Sequence, residues 1–273
     1  MATDPAAAAA AALTLPSPTA AFLAPYLPAA AAAAARKDRP FVTLTYAASL
    51  DSHLSVAAGT QTALSGGGSK ALTHYLRAQH AAILVGASTA AADDPGLNSR
   101  LDGADAGSQP RPIILDPRFR WRFSRDARVL RAARARLGKA PWIFVARGCL
   151  EDRADERVRW VEEAGGRVVP LDDCDGWWSW TYLLSAMRSL GVESVMIEGG
   201  ATVINDLLRL ENRALLDSVV VTVAPVYLGS GGVNVSPQHE QGREGEAVVR
   251  FKDVQWQVLG RDVVMAARPE TCE

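Results

Sequence analysis

From Pro40 onward the chain alternates between short apolar runs and segments with helical spacing. "FVTLTYAASL" (41–50) reads as a strand, "SKALTHYLRAQ" (69–79) as a helix, and "AAILVGAST" (81–89) as a strand running into a turn at "ADDPG". "RPIILD" (111–116), "APWIFVAR" (140–147) and "RVVPL" (167–171) are further strands. "EDRADERVRWVEEAGG" (151–166), whose closing glycines suit a C-cap, and "WSWTYLLSAMRSLG" (178–191) are helices. "SVMIEGG" (194–200) leads straight into the helical "ATVINDLLRLE" (201–211), and "DSVVVTVAPVYLG" (217–229) and "WQVLGRDVVMAAR" (256–268) close the chain as β segments. Strands separated by helices require right-handed crossovers. The pattern therefore predicts an α/β fold, with a mainly parallel central sheet, helices on both faces and an antiparallel C-terminal edge where no helix intervenes.

Residues 1–38 break this pattern. They are almost all Ala and Pro, with Pro5, Pro16, Pro18, Pro25 and Pro28 interrupting any helix. An acidic Asp4 and a first arginine only at Arg36 do not suit an amphipathic presequence. The expectation is a largely disordered extension with one short helix near "AFLAPYL" packed on the body, followed by a folded domain over 39–273.

Composition narrows the function classes. A chain of 273 residues that is 48% hydrophobic can bury the core of one large domain. A net charge of −1 and a pI near 6.4 give no global attraction for nucleic acid or an anionic membrane, so any anionic ligand must be held locally. Cys149, Cys174 and Cys272 are far apart and odd in number, against a disulfide framework or a zinc site and in favour of a reducing, cytoplasmic setting. No apolar run approaches the roughly 20 residues of a membrane span. His53, His74, His80 and His239 show no metal spacing and are expected on surfaces or helix faces, with no metal bound.

In an open sheet of this kind ligands bind beyond the carboxyl ends of the strands, where "IEGG" falls. Gly199 and Gly200 either make a tight βα turn or let a pyrophosphate approach the backbone; GxGxxG and GxxxxGK[ST] are both absent. Glu198 is poorly placed for a phosphate and better placed for hydroxyls or amino groups of a second ligand. In "LVGASTAAADDPGLNSR" (84–100), Ser88 and Thr89 offer hydroxyls, Asp93 and Asp94 carboxylates, and Arg100 a fork for an anion, although Asp-Asp-Pro-Gly is also an ordinary turn signal. In "YAASLDSHLS" (46–55), Asp51 either begins a turn or steers protons. Trp177, Trp178 and Trp180 are expected to be packing residues, and the basic run 118–139 a solvated helix face rather than a nucleic-acid surface.

Together "YAASLDSHLS", "LRAQHAAILVGASTAAADDPGLNSR", "IILD", "VMIEGGATVINDLL" and "VAPVYLGSGG" stand in an order and spacing that resemble the riboflavin-biosynthesis reductases, from about residue 40 to the end. The zinc-deaminase HxE and PCxxC signature is missing, which resembles the free-standing fungal form. The resemblance implies a dihydrofolate-reductase-like fold, a homodimer, and NADPH-dependent reduction of a ribosylamino side chain on a pyrimidinone 5′-phosphate to the ribitylamino form. Ring opening of such a ribosylamine gives an imine at C1′, so the protein must chiefly align two anionic ligands, without a dedicated nucleophile.

By the same resemblance Ala47, Thr89, Asp93, Gly199, Gly200, Ala201, Thr202 and Val203 are expected to contact NADPH, and Arg77, Leu97, Arg100 and Glu198 the substrate, with Glu198 and Asp51 nearest the chemistry. Gln61 and Ala63 depart from bacterial relatives, which have Ser and Trp there. Arg118 or Arg120, after "IILD", are expected to reach the 2′-phosphate of NADPH. Two other readings stand beside this one: a reductase of the same fold acting on a pterin or related heterocycle, and a non-catalytic nucleotide-binding protein.

Overall fold

The computed structural model describes residues 13–29, 33, 36–60, 62–105, 107–150, 155–172, 178–239 and 245–270. Residues 1–12 of the extension, Gln61, Trp177, Cys174, Cys272 and the expected helix start at 151–154 lie outside them. The strands are β1 (Phe41–Ala48), β2 (His53–Ser55), β3 (Ala82–Gly86), β4 (Arg111–Leu115), β5 (Trp142–Ala146), β6 (Arg167–Leu171), β7 (Ser194–Gly199), β8 (Ser218–Val223), β9 (Val233–Asn234), β10 (Phe251–Leu259) and β11 (Asp262–Pro269). The helices are α1 (Ser17–Leu23), α2 (Gly67–Ala78), α3 (Ala87–Asp93), α4 (Arg128–Arg134), α5 (Glu156–Glu163), α6 (Trp180–Ser189), α7 (Ala201–Leu207) and α8 (Leu210–Arg213).

A nine-stranded sheet runs in the order β10-β11-β8-β1-β7-β3-β4-β5-β6. Its pairings from β8 to β6 are parallel, and β11 and β10 join antiparallel at one edge. This is the α/β architecture expected from the alternation. Strand periodicity sorts the core into layers. Val42 and Leu44 of β1, Phe144 of β5 and Val219 of β8 pack under Leu183, Leu184 and Met187 of α6 and Ile204 and Leu207 of α7. On the opposite face Ile83, Val85, Ile114 and Ile143 meet Val129, Leu130 and Val161, while Met196 and Val220 meet Leu72 and Leu76 of α2.

Several elements differ from the sequence expectation. The run 81–89 is strand only to Gly86; small residues then wind into α3, which ends at Asp94 in the left-handed region (φ 39°), so "ADDPG" terminates a helix rather than a strand. The segment 256–268 is a hairpin that reverses at Gly260 (φ 66°), and 201–211 is broken into α7 and α8. The small β2–β9 sheet carries no readable alternation. His53, His74 and His80 are buried rather than superficial. Trp180 packs in the core and donates to Asp206 Oδ2 at 2.7 Å.

Within the Ala/Pro extension the described residues form the short helix expected near "AFLAPYL", packed on the body. Pro18 falls in the first turn of α1, where its missing N–H costs nothing. Leu23 and Tyr26 are fully buried against Leu259 and Val264 of the C-terminal hairpin. The Tyr26 hydroxyl donates to the Asp253 carbonyl, and Arg268 lies over its ring at 5.1 Å. Apolar area at these positions outweighs the helix-breaking composition around them.

Candidate active site

β1 is in register with β7 only as far as Leu44↔Ile197, whereas it follows β8 to Ala48↔Val223. The sheet therefore parts at the carboxyl ends of β1 and β7. Between β3 and β7 the register runs Leu84↔Ile197 and then Val85↔Gly199, leaving Glu198 as an extra residue; such a bulge re-aims the side chain it carries. A cavity of about 570 Å³ opens at this point.

Ala47, Thr89, Asp93, Glu198, Gly199, Gly200, Ala201, Thr202 and Val203 all line that cavity. The glycine turn has no room for side chains. Gly199 has φ 68°, and a Cβ there would stand 2.5 Å from Ile204 Cγ1; a Cβ on Gly200 would stand 2.7 Å from Thr89 Oγ1. The Thr89 hydroxyl donates to the Gly199 carbonyl at 3.0 Å and ties α3 to the turn. Burial, followed by the nearby Glu198 charge, pushes the Asp93 carboxyl above its ordinary range.

Arg77, one helical turn after the cavity-lining Thr73, donates from Nε to Glu198 Oε1 at 2.8 Å and from Nη2 to Oε2 at 2.7 Å, with Nη1 reaching the Asn98 carbonyl at 3.2 Å. Most of its fork is thus spent on orienting Glu198. Arg100 differs. Its backbone N–H donates to His74 Nδ1 at 3.0 Å, which puts the proton of a neutral ring on Nε2. The approach of the Arg100 guanidinium to His74 Nε2, at 3.2 Å for Nη2, is then no hydrogen bond, and its donors stay available to an anion. Burial, then Arg77 and Arg100, hold the His74 ring neutral by pushing its pKa down to about 3.

Arg77, Leu97, Arg100 and Asp51 are not among the cavity-lining residues. Leu97 is buried in the core with a backbone φ of 54°. Asp51 accepts from the Ser49 hydroxyl and from the amides of Leu228 and Gly229 at 3.1 and 2.8 Å; the first of these contacts does most to hold its carboxyl well below the usual range. It clamps a turn to the 226–229 segment, and a carboxylate so held has no proton to give at neutral pH. Of its two readings, the turn is the one the geometry supports. Thr45, Tyr46, Thr222 and the segment around Gly59 also line the cavity. The spacing of Thr73 to Arg77 was a readable signal, but the 58–65 segment carries no motif.

Among the described residues no group of three or more His, Cys, Asp or Glu is arranged to hold a metal ion, and no helix is long and apolar enough to cross a membrane. Residues 40–265 match the RibD C-terminal domain family. The chain is 42% identical to the 2,5-diamino-6-ribosylamino-4(3H)-pyrimidinone 5′-phosphate reductase of Eremothecium gossypii, covering 90% of this chain and 94% of that protein. It is 38% identical to the reductase of the same name from Debaryomyces hansenii, with the same coverage. A solved structure of the Saccharomyces cerevisiae riboflavin biosynthesis reductase Rib7 matches with a TM-score of 0.71 at 33% identity, over 92% of this chain and 99% of that one. With the family matched from β1 into β11 and full-length relatives at this identity, the chain belongs to the RibD C-terminal domain family of riboflavin-biosynthesis reductases.

Proposed function

We propose that the protein reduces the ribosylamino side chain of 2,5-diamino-6-ribosylamino-4(3H)-pyrimidinone 5′-phosphate to the ribitylamino form, using NADPH. The observation that carries this reading is a glycine turn too crowded for any Cβ beside a carboxylate gripped by Arg77, in one cavity. The bare turn fits a pyrophosphate, which needs close approach to backbone amides. NADPH, when bound, supplies the hydride. Glu198, held by Arg77, accepts hydrogen bonds from sugar hydroxyls or pyrimidine amines and fixes C1′ in place, while Arg100 faces the 5′-phosphate. Thr89 and Asp93 border the cofactor, and Ala47 presents its backbone.

Arg118 and Arg120 are exposed beyond β4, and Asp116 braces this segment by accepting from the amides of Arg120 and Trp121 at 2.9 and 2.8 Å. They are suited to the 2′-phosphate, so an Arg118→Ala/Arg120→Ala variant loses the preference for NADPH over NADH. A homodimer is supported by the edge strand β10, where Val254, Trp256 and Val258 are 41%, 59% and 71% exposed on one face. The assignment is tested by following loss of reduced-nicotinamide absorbance with the diamino substrate and with its dephosphorylated form. Turnover that depends on the phosphate supports it; equal turnover of both forms points to a different heterocycle.

A further inference from the structure

Among the described residues that line the cavity, Tyr46 is the one aromatic. It continues the row Val42, Leu44 on the face of the sheet covered by α6 and α7, and it lies beyond the last register pair of β1 with β7, where the strands part. Its ring packs on the core, yet its hydroxyl has no hydrogen-bond partner among the described residues. Burial alone pushes its pKa up to about 12, so it stays a neutral phenol across the working range. The residue is only partly buried and lines the cavity, so its donor is open to what the cavity holds, and tyrosine hydroxyls that border an apolar core usually take a hydrogen-bond partner.

The two faces of the sheet divide the cavity. Glu198 and Arg77 belong to the α2 side, and Gly199–Val203 lead into α7, on the side of Tyr46. On the reading proposed above, a dinucleotide anchored at the glycine turn must bring its nicotinamide across the ends of β1 and β7 to reach a substrate held by Glu198. Tyr46 stands on that path. We propose that the Tyr46 hydroxyl hydrogen-bonds the nicotinamide–ribose half of the cofactor and is a positioning residue for it. A neutral donor suits that half, which carries hydroxyls and a carboxamide rather than phosphate charge.

The test is a Tyr46→Phe variant of the full chain, titrated with NADPH and with adenosine 2′,5′-bisphosphate, which lacks the nicotinamide half, without substrate. The expected result is an NADPH Kd raised about five- to tenfold, the worth of one hydrogen bond. The bisphosphate Kd and the melting temperature stay unchanged, and a control Tyr227→Phe, at a residue 76% exposed, changes neither affinity. An unchanged NADPH Kd overturns the inference, as does an equal loss of affinity for both ligands, and so does a raised substrate KM without a change in NADPH affinity. If the unaltered protein binds neither ligand, the dinucleotide reading itself falls, which is a different failure from an unaffected variant.

Discussion

At the scale of single residues, the site depends on two contacts that tolerate little. Glu198→Gln keeps the shape of the side chain and removes the charge that Arg77 grips through two hydrogen bonds. The expected result is a roughly hundredfold fall in kcat/KM with an NADPH Kd changed by less than about threefold, because the proposed role of the carboxylate lies on the substrate side. Gly199→Ala drives a Cβ to 2.5 Å from Ile204 at a positive φ, so both NADPH affinity and stability fall, the latter by about 2–3 kcal/mol in urea unfolding. Glu198 and the glycines were legible in the sequence as a charge and two bare residues at a strand end. Their mutual grip was not, because Arg77 comes from 121 positions away. Tyr46 was invisible for another reason: in the sequence it is one more apolar member of an alternating strand.

At the scale of elements, period-two alternation made the central strands legible, and glycines and prolines bounded them. What failed were short elements of small residues and anything fixed by distant partners. α3, "ASTAAAD", continues an apolar run and shows no amphipathic face. α2 has no local cap; the Asp262 carboxylate at the start of β11 accepts from the Gly66 amide at 2.7 Å and the Ser69 hydroxyl at 2.6 Å, and Arg261 reaches the Leu64 carbonyl at 3.1 Å. The hairpin thereby braces both the helix that carries Arg77 and the segment beside the cavity. Asp262→Ala leaves those donors unmet and is expected to cost about 1–3 kcal/mol in urea unfolding, with a raised substrate KM. The extension acts in the same non-local way: Leu23→Ala removes a fully buried side chain and is expected to cost about 2–4 kcal/mol.

At the scale of the whole molecule, two neutral histidines set an acid limit. His80 lies under the sheet, its Nε2 2.8 Å from Thr43 Oγ1 and its Nδ1 2.7 Å from the Leu76 carbonyl, and burial pushes its pKa down to about 4. His74 is pushed down to about 3. Unfolding restores ordinary values near 6.5, so the unfolded chain binds more protons between about pH 3 and 6.5. Stability is present in full above that window and is lost as pH falls through it. His80 accounts for about 3 kcal/mol of the loss, which melting curves across the window measure. The proposed dimer is tested at the edge strand: Trp256→Glu is expected to give a monomer by light scattering, since a charge replaces an exposed apolar side chain in the middle of the proposed dimer face. The central claim is that one cavity presents both a dinucleotide and a pyrimidine ribosyl phosphate for hydride transfer. It is tested most directly by NADPH consumption with freshly generated 2,5-diamino-6-ribosylamino-4(3H)-pyrimidinone 5′-phosphate, in the unaltered protein and in Glu198→Gln. Rapid consumption that the substitution suppresses is the predicted result; NADPH binding without consumption, or consumption indifferent to Glu198, would contradict it.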